Sequence, residues 1–392
     1  MTIPRLDDPA LTRLWVALPE ARIVGGAVRD LIVGHPITDI DLAVPLPPAT
    51  VQTRLTDAAI RTIPTGLDHG TLTALIDGRG FEITSLRRDI ATDGRHATVA
   101  FTDDWQTDAA RRDFTINAMS MDRSGQIYDY FEGQADLAAG RVRFVGVAAA
   151  RITEDYLRIL RFFRFFARYA QSSPDPDAIA AIQTHRTGLT RLSPERIWSE
   201  LKRILLAPNP LTALSLMAQT GILPLILPGG TNLPAARIAI TNGLSLPLAR
   251  FALLNAGPID EIAAALRLSD AERTSLHQIQ AAPILPADAD DFALRTALAT
   301  HDRAALLVKS YLAPRAAPGS DNLRARLSAM PQPEFPLRGA DLIALGLPPG
   351  PAIGAALHQV RQDWLATGCT ADRPACLARL AAILDQTRPT KA

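Results

Sequence analysis

The chain has 392 residues, 47% of them hydrophobic and 21% charged, which suits two or three globular domains with a sizeable core. It contains no run of about 18 or more apolar residues, so no membrane span is expected, and Met1–Asp8 lacks the apolar core of a signal peptide. Cys369 and Cys376 are its only cysteines, which excludes a disulfide framework or a zinc site and makes a reducing cytoplasm the default.

The net charge of +1 conceals a gradient. Residues 1–150 carry fifteen Lys/Arg and twenty Asp/Glu, net −5; residues 151–205 carry ten and six, net +4; residues 206–392 carry sixteen and fourteen, net +2. An acidic front before a basic middle suits a metal site beside a polyanion site, although scattered surface charge gives a similar count.

In chain order, helical patterns are predicted over Leu11–Leu18, Ala27–Val33 and about Ala49–Arg61. Strands are predicted over Arg22–Val24, Ile40–Val44, Thr71–Ile76, Phe81–Leu86 and Val142–Val145. Asp77-Gly78-Arg79-Gly80 reads as a hairpin between the third and fourth of these. After about residue 150 strand signals fade. Ile152–Tyr169 is predicted as one helix and Pro194–Leu206 as another, the latter with Ser193 as N-cap and Pro194 at its first position. Beyond residue 206 the chain is rich in Ala and Leu, and its helical runs are broken by Leu227-Pro228-Gly229-Gly230 and Leu347-Pro348-Pro349-Gly350-Pro351. Arg315–Ser320 reads as a hinge or loop. No internal repeat is evident.

Asp39-Ile40-Asp41 closely follows Gly25-Gly26-Ala27-Val28-Arg29-Asp30. On a strand, residues two apart share a face, so Asp39 and Asp41 would aim two carboxylates at one point. The Gly25-Gly26 step and the helix it opens would present backbone N–H groups and a positive dipole end to an anion. Carboxylates beside a phosphate cradle are what metal-dependent phosphoryl or nucleotidyl transfer requires. Arg29 and Asp30, one turn into that helix, either serve a triphosphate or form a surface ion pair. Glu82 is the candidate third carboxylate. It is costly if it points inward unpaired, and ordinary if it faces outward.

Arg111-Arg112-Asp113-Phe114-Thr115-Ile116-Asn117 combines guanidinium forks, which match phosphate or ribose oxygens, with an Asp able to fix them. In Glu154-Asp155-Tyr156-Leu157-Arg158, followed by Arg161 and Arg164, the spacing of three places Asp155, Arg158 and Arg161 on one helix face. Cytosine and adenine each offer an amine donor beside a ring-nitrogen acceptor. A carboxylate and a guanidinium match that edge. Uracil and guanine would leave both groups unpaired, at about 1–3 kcal/mol each.

With these motifs in order, the chain resembles the bacterial class II tRNA nucleotidyltransferases (the CCA-adding enzymes) and their relatives the bacterial poly(A) polymerases, over roughly residues 20–205. Two further motifs carry the resemblance: Tyr128-Asp129-Tyr130-Phe131-Glu132-Gly133 with Asp136-Leu137, and Ser193-Pro194-Glu195-Arg196-Ile197-Trp198-Ser199-Glu200-Leu201. It implies an α+β N-terminal palm of the polymerase-β-like nucleotidyltransferase kind over residues 1–145. A helical neck over 146–206 and a helical body and tail over 207–392 would follow. It implies Mg2+ held by Asp39 and Asp41, beside which Glu82, the candidate third carboxylate, would complete the metal shell or act as base. It also implies triphosphate contacts from Gly25, Gly26 and Arg29, a second nucleotide motif at Arg112 and Asp113, and base reading by Asp155 and Arg158 with Arg161 and Arg164 alongside. The implied substrates are tRNA, CTP and ATP, with no obligate protein partner.

Arg87–Trp105 matches the family's flexible loop, which supports the switch from C to A addition. Pro64–Thr71 resembles the CCA-adding form, and the basic tail expected of poly(A) polymerases is missing. His301-Asp302 stands alone, so no phosphohydrolase domain is expected. Three rival readings are a poly(A) polymerase, a small-molecule nucleotidyltransferase on the same palm, and a non-catalytic RNA-binding relative.

Overall fold

The computed structural model describes residues 8–37, 39–66, 70–92, 97–313 and 319–387. Parts of the Pro64–Thr71 motif and of the Arg315–Ser320 segment, and all of Asp93-Gly94-Arg95-His96, lie outside them. The chain divides into two units, residues 1–228 and 229–392, meeting at the Pro228-Gly229 cluster.

The first unit opens with α1 (Pro9–Ala17), started by Asp8, whose carboxylate accepts from Ala10 N at 2.9 Å. Then follow β1 (Arg22–Val24), α2 (Gly26–Ile32), β2 (Asp41–Val44), α3 (Pro48–Asp57), β3 (Arg61–Gly66), β4 (Thr71–Ile76) and β5 (Arg79–Ser85). The hairpin β6 (Arg87–Thr92) and β7 (Ala97–Phe101) comes next, before α4 (Trp105–Ala110), β8 (Ser120–Met121), β9 (Ile127–Tyr128) and α5 (Gly133–Ala138). Seven strands form one sheet in the order β3-β4-β5-β2-β1-β8-β9, and β6 pairs with β7 in a separate one. Only β2 and β5 run parallel; every other neighbouring pair in the main sheet is antiparallel. The sheet is mixed, and this is the α+β domain expected.

The turn between β4 and β5 is Asp77-Gly78, both with positive φ (50° and 77°), as a two-residue hairpin of the mirror-image type requires. Leu72, Ala74 and Ile76 on β4 and Phe81 and Ile83 on β5 point into the core.

Helices α6 (Ala148–Glu154), α7 (Leu157–Tyr169), α8 (Pro176–His185), α9 (Pro194–Leu206), α10 (Pro210–Gln219) and α11 (Ile222–Ile226) complete the first unit. Phe162, Phe163 and Phe166 of α7 are buried, and Phe162 stacks with Phe144 of the palm segment at 6.0 Å between centroids. The helix is thus amphipathic, aromatic towards the core and arginine-bearing on another face. The regular elements among the second unit's described residues are all helices, from α12 (Leu233–Thr241) to α21 (Arg373–Thr387). Leu253, Leu294, Leu298, Leu306 and Leu323 centre one core there, and Leu342, Val360, Trp364 and Leu380 a second.

Four expectations change. The helix predicted over Ile152–Tyr169 is two helices, broken at Asp155-Tyr156. Val142–Val145 is not a strand: Phe144 makes only an isolated bridge to Phe114, and its apolar character serves the aromatic core. The flexible-loop segment Arg87–Trp105 contains the β6–β7 hairpin and the start of α4. The main-sheet strand carrying the Asp motif begins at Asp41, leaving Asp39 in the coil before it.

Candidate active site

A cleft of about 660 Å³ lies between the palm and α7, lined by Gly25, Gly26, Arg29, Asp41, Arg112, Asp113, Asp155, Arg158, Arg161 and Arg164. Arg87, Arg111, Asn117, Leu157, Phe165 and Arg196 complete the lining. Its volume falls in the range usual for small-ligand sites, roughly 300–1,000 Å³.

Gly25 adopts φ +68°, and a Cβ built on it would come within 3.0 Å of Arg112 Nη1. Both the left-handed backbone and the close guanidinium therefore call for glycine. Arg29 on α2 is 7% exposed, so its orientation is set by protein groups. Its Nε and Nη2 grip the two Asp30 oxygens at 3.2 and 3.0 Å, Nη1 donates to Asn117 Oδ1, and the guanidinium lies 4.6 Å from the Tyr169 ring centroid. Tyr169 in turn donates its hydroxyl to Asp30 Oδ1 at 2.6 Å. The Arg29-Asp30 pair is thus part of a buried network that spans palm and neck.

Asp113 is buried. Burial alone would raise its carboxyl, but Arg161, Asn117 Nδ2 and the Phe114 N–H outweigh that and hold it below the usual carboxylate range. Arg161 Nε donates to Asp113 Oδ2 at 2.7 Å, and Asn117 Nδ2 to Oδ1 at 2.9 Å. Arg112 pairs with buried Asp108 at 3.4 Å, and Arg164 pairs with buried Glu200 at 2.7 Å. Asp113 and Asn117 each bridge two elements, roles that their motif did not reveal in sequence.

Asp41 and Glu82 are register partners on the parallel strands β2 and β5, which puts both side chains on one face of the sheet. Glu82 is exposed on the face opposite Phe81 and Ile83. It does not point into the core, so the cost of burying an unpaired Glu no longer argues for its role; its place beside Asp41 does. Although Asp41 lies at the exposed start of β2, the protein around it and then the Glu82 charge lift its carboxyl above the usual carboxylate range; Asp39 adds to this and Arg112 opposes it. Asp39 thus acts on Asp41 although it lies outside the strand that was to align them. Like charges crowded in this way are relieved by a cation, so the carboxylates fit a divalent metal. Among the described residues, no group of three or more His, Cys, Asp or Glu is arranged to hold a metal ion.

Asp155 occupies the break between α6 and α7 in extended conformation (φ −153°, ψ 107°). It therefore does not share a helix face with Arg158, as spacing suggested. Its Oδ1 accepts from Leu157 N at 3.0 Å, and its Oδ2 pairs with Arg196 of α9 at 2.8 Å. Arg158 pairs with Glu154 at 2.6 Å and donates to the backbone carbonyls of Arg151 and Arg111. Asp155 and Arg158 nevertheless line the same cleft. Of the three residues predicted to share a face, Arg158 and Arg161 lie on α7 and line the cleft together with Arg164. Sequence reasoning overlooked Glu154 and Arg196 as the ionic partners of Arg158 and Asp155. Both were legible only as motif letters, because their partners are set by the break at Asp155.

The family model described as "Poly A polymerase head domain" matches residues 21–143, and the one described as "Probable RNA and SrmB- binding site of polymerase A" matches residues 173–233. The chain is 37% identical over 373 residues to the mouse mitochondrial CCA tRNA nucleotidyltransferase 1, covering 89% of this chain and 83% of that protein. It is 40% identical over 205 residues to a Streptococcus pyogenes CCA-adding enzyme, covering 51% of this chain and 49% of that protein. Its fold matches the Bacillus stearothermophilus CCA-adding enzyme solved in complex with CTP, at 26% identity and a TM-score of 0.74, covering 97% of this chain and 98% of that one. Nucleotidyltransferases of this family use a divalent metal. No helix among the described residues is long and apolar enough to cross a membrane. Similarity on this scale, over the cleft and the helices beyond it, identifies the chain as a member of the CCA tRNA nucleotidyltransferase family.

Proposed function

We propose that this protein adds C, C and A to the 3′ end of tRNA from CTP and ATP, with Mg2+ and without a nucleic-acid template. One observation carries the reading: a single cleft joins Asp41, the arginines suited to a triphosphate, and the Asp155/Arg158 pair suited to a base edge. The named relatives support it, since they are CCA tRNA nucleotidyltransferases.

Asp39 and Asp41 would hold the cation, with Glu82 beside them to complete its shell or accept the primer hydroxyl's proton. When bound, the cation supplies charge neutralisation at the triphosphate and acidifies the attacking 3′-hydroxyl. Gly25 and Gly26 let the triphosphate approach the backbone. Arg29 and Arg112 orient it in line with the primer and offset the charge that gathers on the departing pyrophosphate. Asp113, through Arg161, fixes the wall against which the nucleotide lies.

Asp155 accepts from the exocyclic amine of C or A, and Arg158 donates to the adjacent ring nitrogen. Contacts to Leu157 N and Arg196 leave the Asp155 carboxylate further accepting capacity, since each oxygen has two lone pairs. On this reading residues 1–145 form the palm and 146–206 the neck, while helices after residue 206 hold the tRNA by shape and phosphate contacts. Cytoplasmic action fits two cysteines that are both free.

Primer extension with Mg2+ tests the reading. A tRNA lacking its last three nucleotides should grow by three with CTP and ATP together and then stop. Long adenylate tails, on this tRNA or on an unstructured RNA, would instead favour a poly(A) polymerase. No extension would point to a small-molecule substrate or a binding role.

A further inference from the structure

Asp155 is aimed by its chain neighbour. It is the last extended residue before α7, and Tyr156, already helical at φ −60° and ψ −18°, opens that helix. Wherever the Tyr156 ring is seated, the peptide between the two residues must follow, and the Asp155 side chain with it.

The ring is seated on a glycine. Gly188 lies in the 3₁₀ turn Arg186–Arg191, and a Cβ built on it would fall 2.0 Å from Tyr156 Cδ1 and 2.1 Å from Cε1. Gly188 is not among the residues with positive φ, so its backbone does not require glycine. What requires glycine there is space for the ring. The Arg191 guanidinium, from the same turn, lies 5.5 Å from the ring centroid. Five residues further on, Arg196 reaches the Asp155 carboxylate at 2.8 Å. One short stretch, from Gly188 to Arg196, thus supplies both the seat for Tyr156 and the ionic partner of Asp155.

We propose that the notch at Gly188, filled by the Tyr156 ring, is a positioning device for nucleotide selection: it sets the angle at which Asp155 meets the base edge. Gly188 is not among the residues that line the cleft and acts through Tyr156. The proposal rests on the reading of Asp155 and Arg158 as the base-selecting pair. A methyl group at Gly188 cannot coexist with the ring where it stands, so the ring and the start of α7 must shift. A shift of that kind spoils a two-point hydrogen-bond match more than it spoils triphosphate binding, which depends on Arg29 and Arg112.

The test compares kcat/KM for CTP and ATP with that for UTP and GTP, on tRNA lacking its terminal nucleotides. The variants are Gly188→Ala, Tyr156→Phe, Tyr156→Leu, Gly188→Ala with Tyr156→Leu, and Arg158→Ala. Gly188→Ala should lower the discrimination ratio by about tenfold or more, with KM for pyrophosphate in the reverse reaction little changed. Tyr156→Phe, which keeps the ring, should match the unaltered protein. Tyr156→Leu should lower the ratio, and adding Gly188→Ala to it should lower the ratio by much less than the product of the two single effects, because contacting residues couple.

A uniform fall in all four rates with the ratio intact would overturn the proposal, as would independent, multiplicative effects at the two positions. Should Gly188→Ala fail to fold, an unchanged ratio in Tyr156→Leu would overturn it equally. Arg158→Ala separates the two levels. If it leaves the ratio unchanged, the base-selecting reading has failed. If it collapses the ratio while the notch variants do not, only the notch has failed.

Discussion

The two ends of the cleft are built differently. At the end proposed for the phosphates, Arg29 is gripped by both Asp30 oxygens, by Asn117 and by the Tyr169 ring, and Asp113 is buried against Arg161 and Asn117. At the base end, Asp155 stands in a helix break and Arg158 near a helix start, each tied by a salt bridge to a partly exposed partner, Arg196 or Glu154. Satisfied interior networks hold their members rigidly, whereas the Asp155 carboxylate takes its place from a helix break, one backbone N–H and one partly exposed ion pair. A triphosphate is common to CTP and ATP and suits a fixed receptor. The two bases present the same amine and ring-nitrogen edge on rings of different size, and on the proposed reading that edge is met by a pair set at the start of α7. On the proposed reading, one cleft separates a phosphate receptor built from an interior network from a base selector built on a helix start.

The largest break in that comparison is removal of the carboxylate shared by both halves of the reaction. Asp41→Ala should lower single-turnover extension of tRNA by about 10³-fold or more, since cation-assisted charge stabilisation contributes several kcal/mol. Nucleotide binding, measured by equilibrium titration, should fall far less, because Arg29, Arg112 and Asp113 remain. Near-normal extension by this variant would remove Asp41 from the chemistry.

Arg158→Ala strikes the base end alone. Loss of a discriminating hydrogen bond of about 1–3 kcal/mol predicts a fall of roughly 10–100-fold in selection of C and A over U and G. The rate with an already bound triphosphate should change less than the ratio. A uniform loss across all four nucleotides would assign Arg158 to general binding.

How much of this contrast was legible in sequence depends on the range of the contacts. Gly25, Gly26, Arg29, Arg112 and Asp113 fall in compact local motifs, and these residues reach the same cleft. The hairpin at Asp77-Gly78 was legible because turn chemistry is local. Asp155 was misread because a helical periodicity continues through Ile152–Tyr169 on both sides of it. The break coincides with the Tyr156 ring lying against Gly188 and with Arg196 reaching Asp155 from α9, contacts that no local pattern records. The β6–β7 hairpin escaped for a similar reason: its flanks read as loop. Glu82 was chosen for an inward orientation that it lacks, yet strand register brought it beside Asp41.

A smaller effect sharpens the rigid end. In Asp113→Asn the buried Arg161 pair loses its ionic character, for about 2 kcal/mol of stability, discounted from a fully buried pair because Arg161 is partly open to water. The pH dependence has a definite sign. The folded-state pKa of Asp113 is lowered, so its contribution is present above the unfolded carboxylate value near about 4 and is lost as pH falls through the folded value. Thermal melting followed downward from neutral pH should show a shallower acid decline in Asp113→Asn than in the unaltered protein. Equal slopes would mean that Asp113 is not held low by its neighbours.

The smallest change gives the most selective test of the comparison. Tyr169→Phe removes one hydroxyl, and with it the 2.6 Å hydrogen bond to Asp30, while keeping the ring beside Arg29. Loss of a hydrogen bond to a carboxylate should cost about 1–2 kcal/mol where the acceptor stays partly buried. Arg29 still holds both Asp30 oxygens, so the pair should loosen without coming apart. KM for CTP and for ATP should then rise together, by a few-fold, because the loosened group faces the part that the two nucleotides share. The ratio of C to U addition should stay as it was. A shift in that ratio would mean that the phosphate end communicates with the base end, and the division between a phosphate receptor and a base selector would have to be given up.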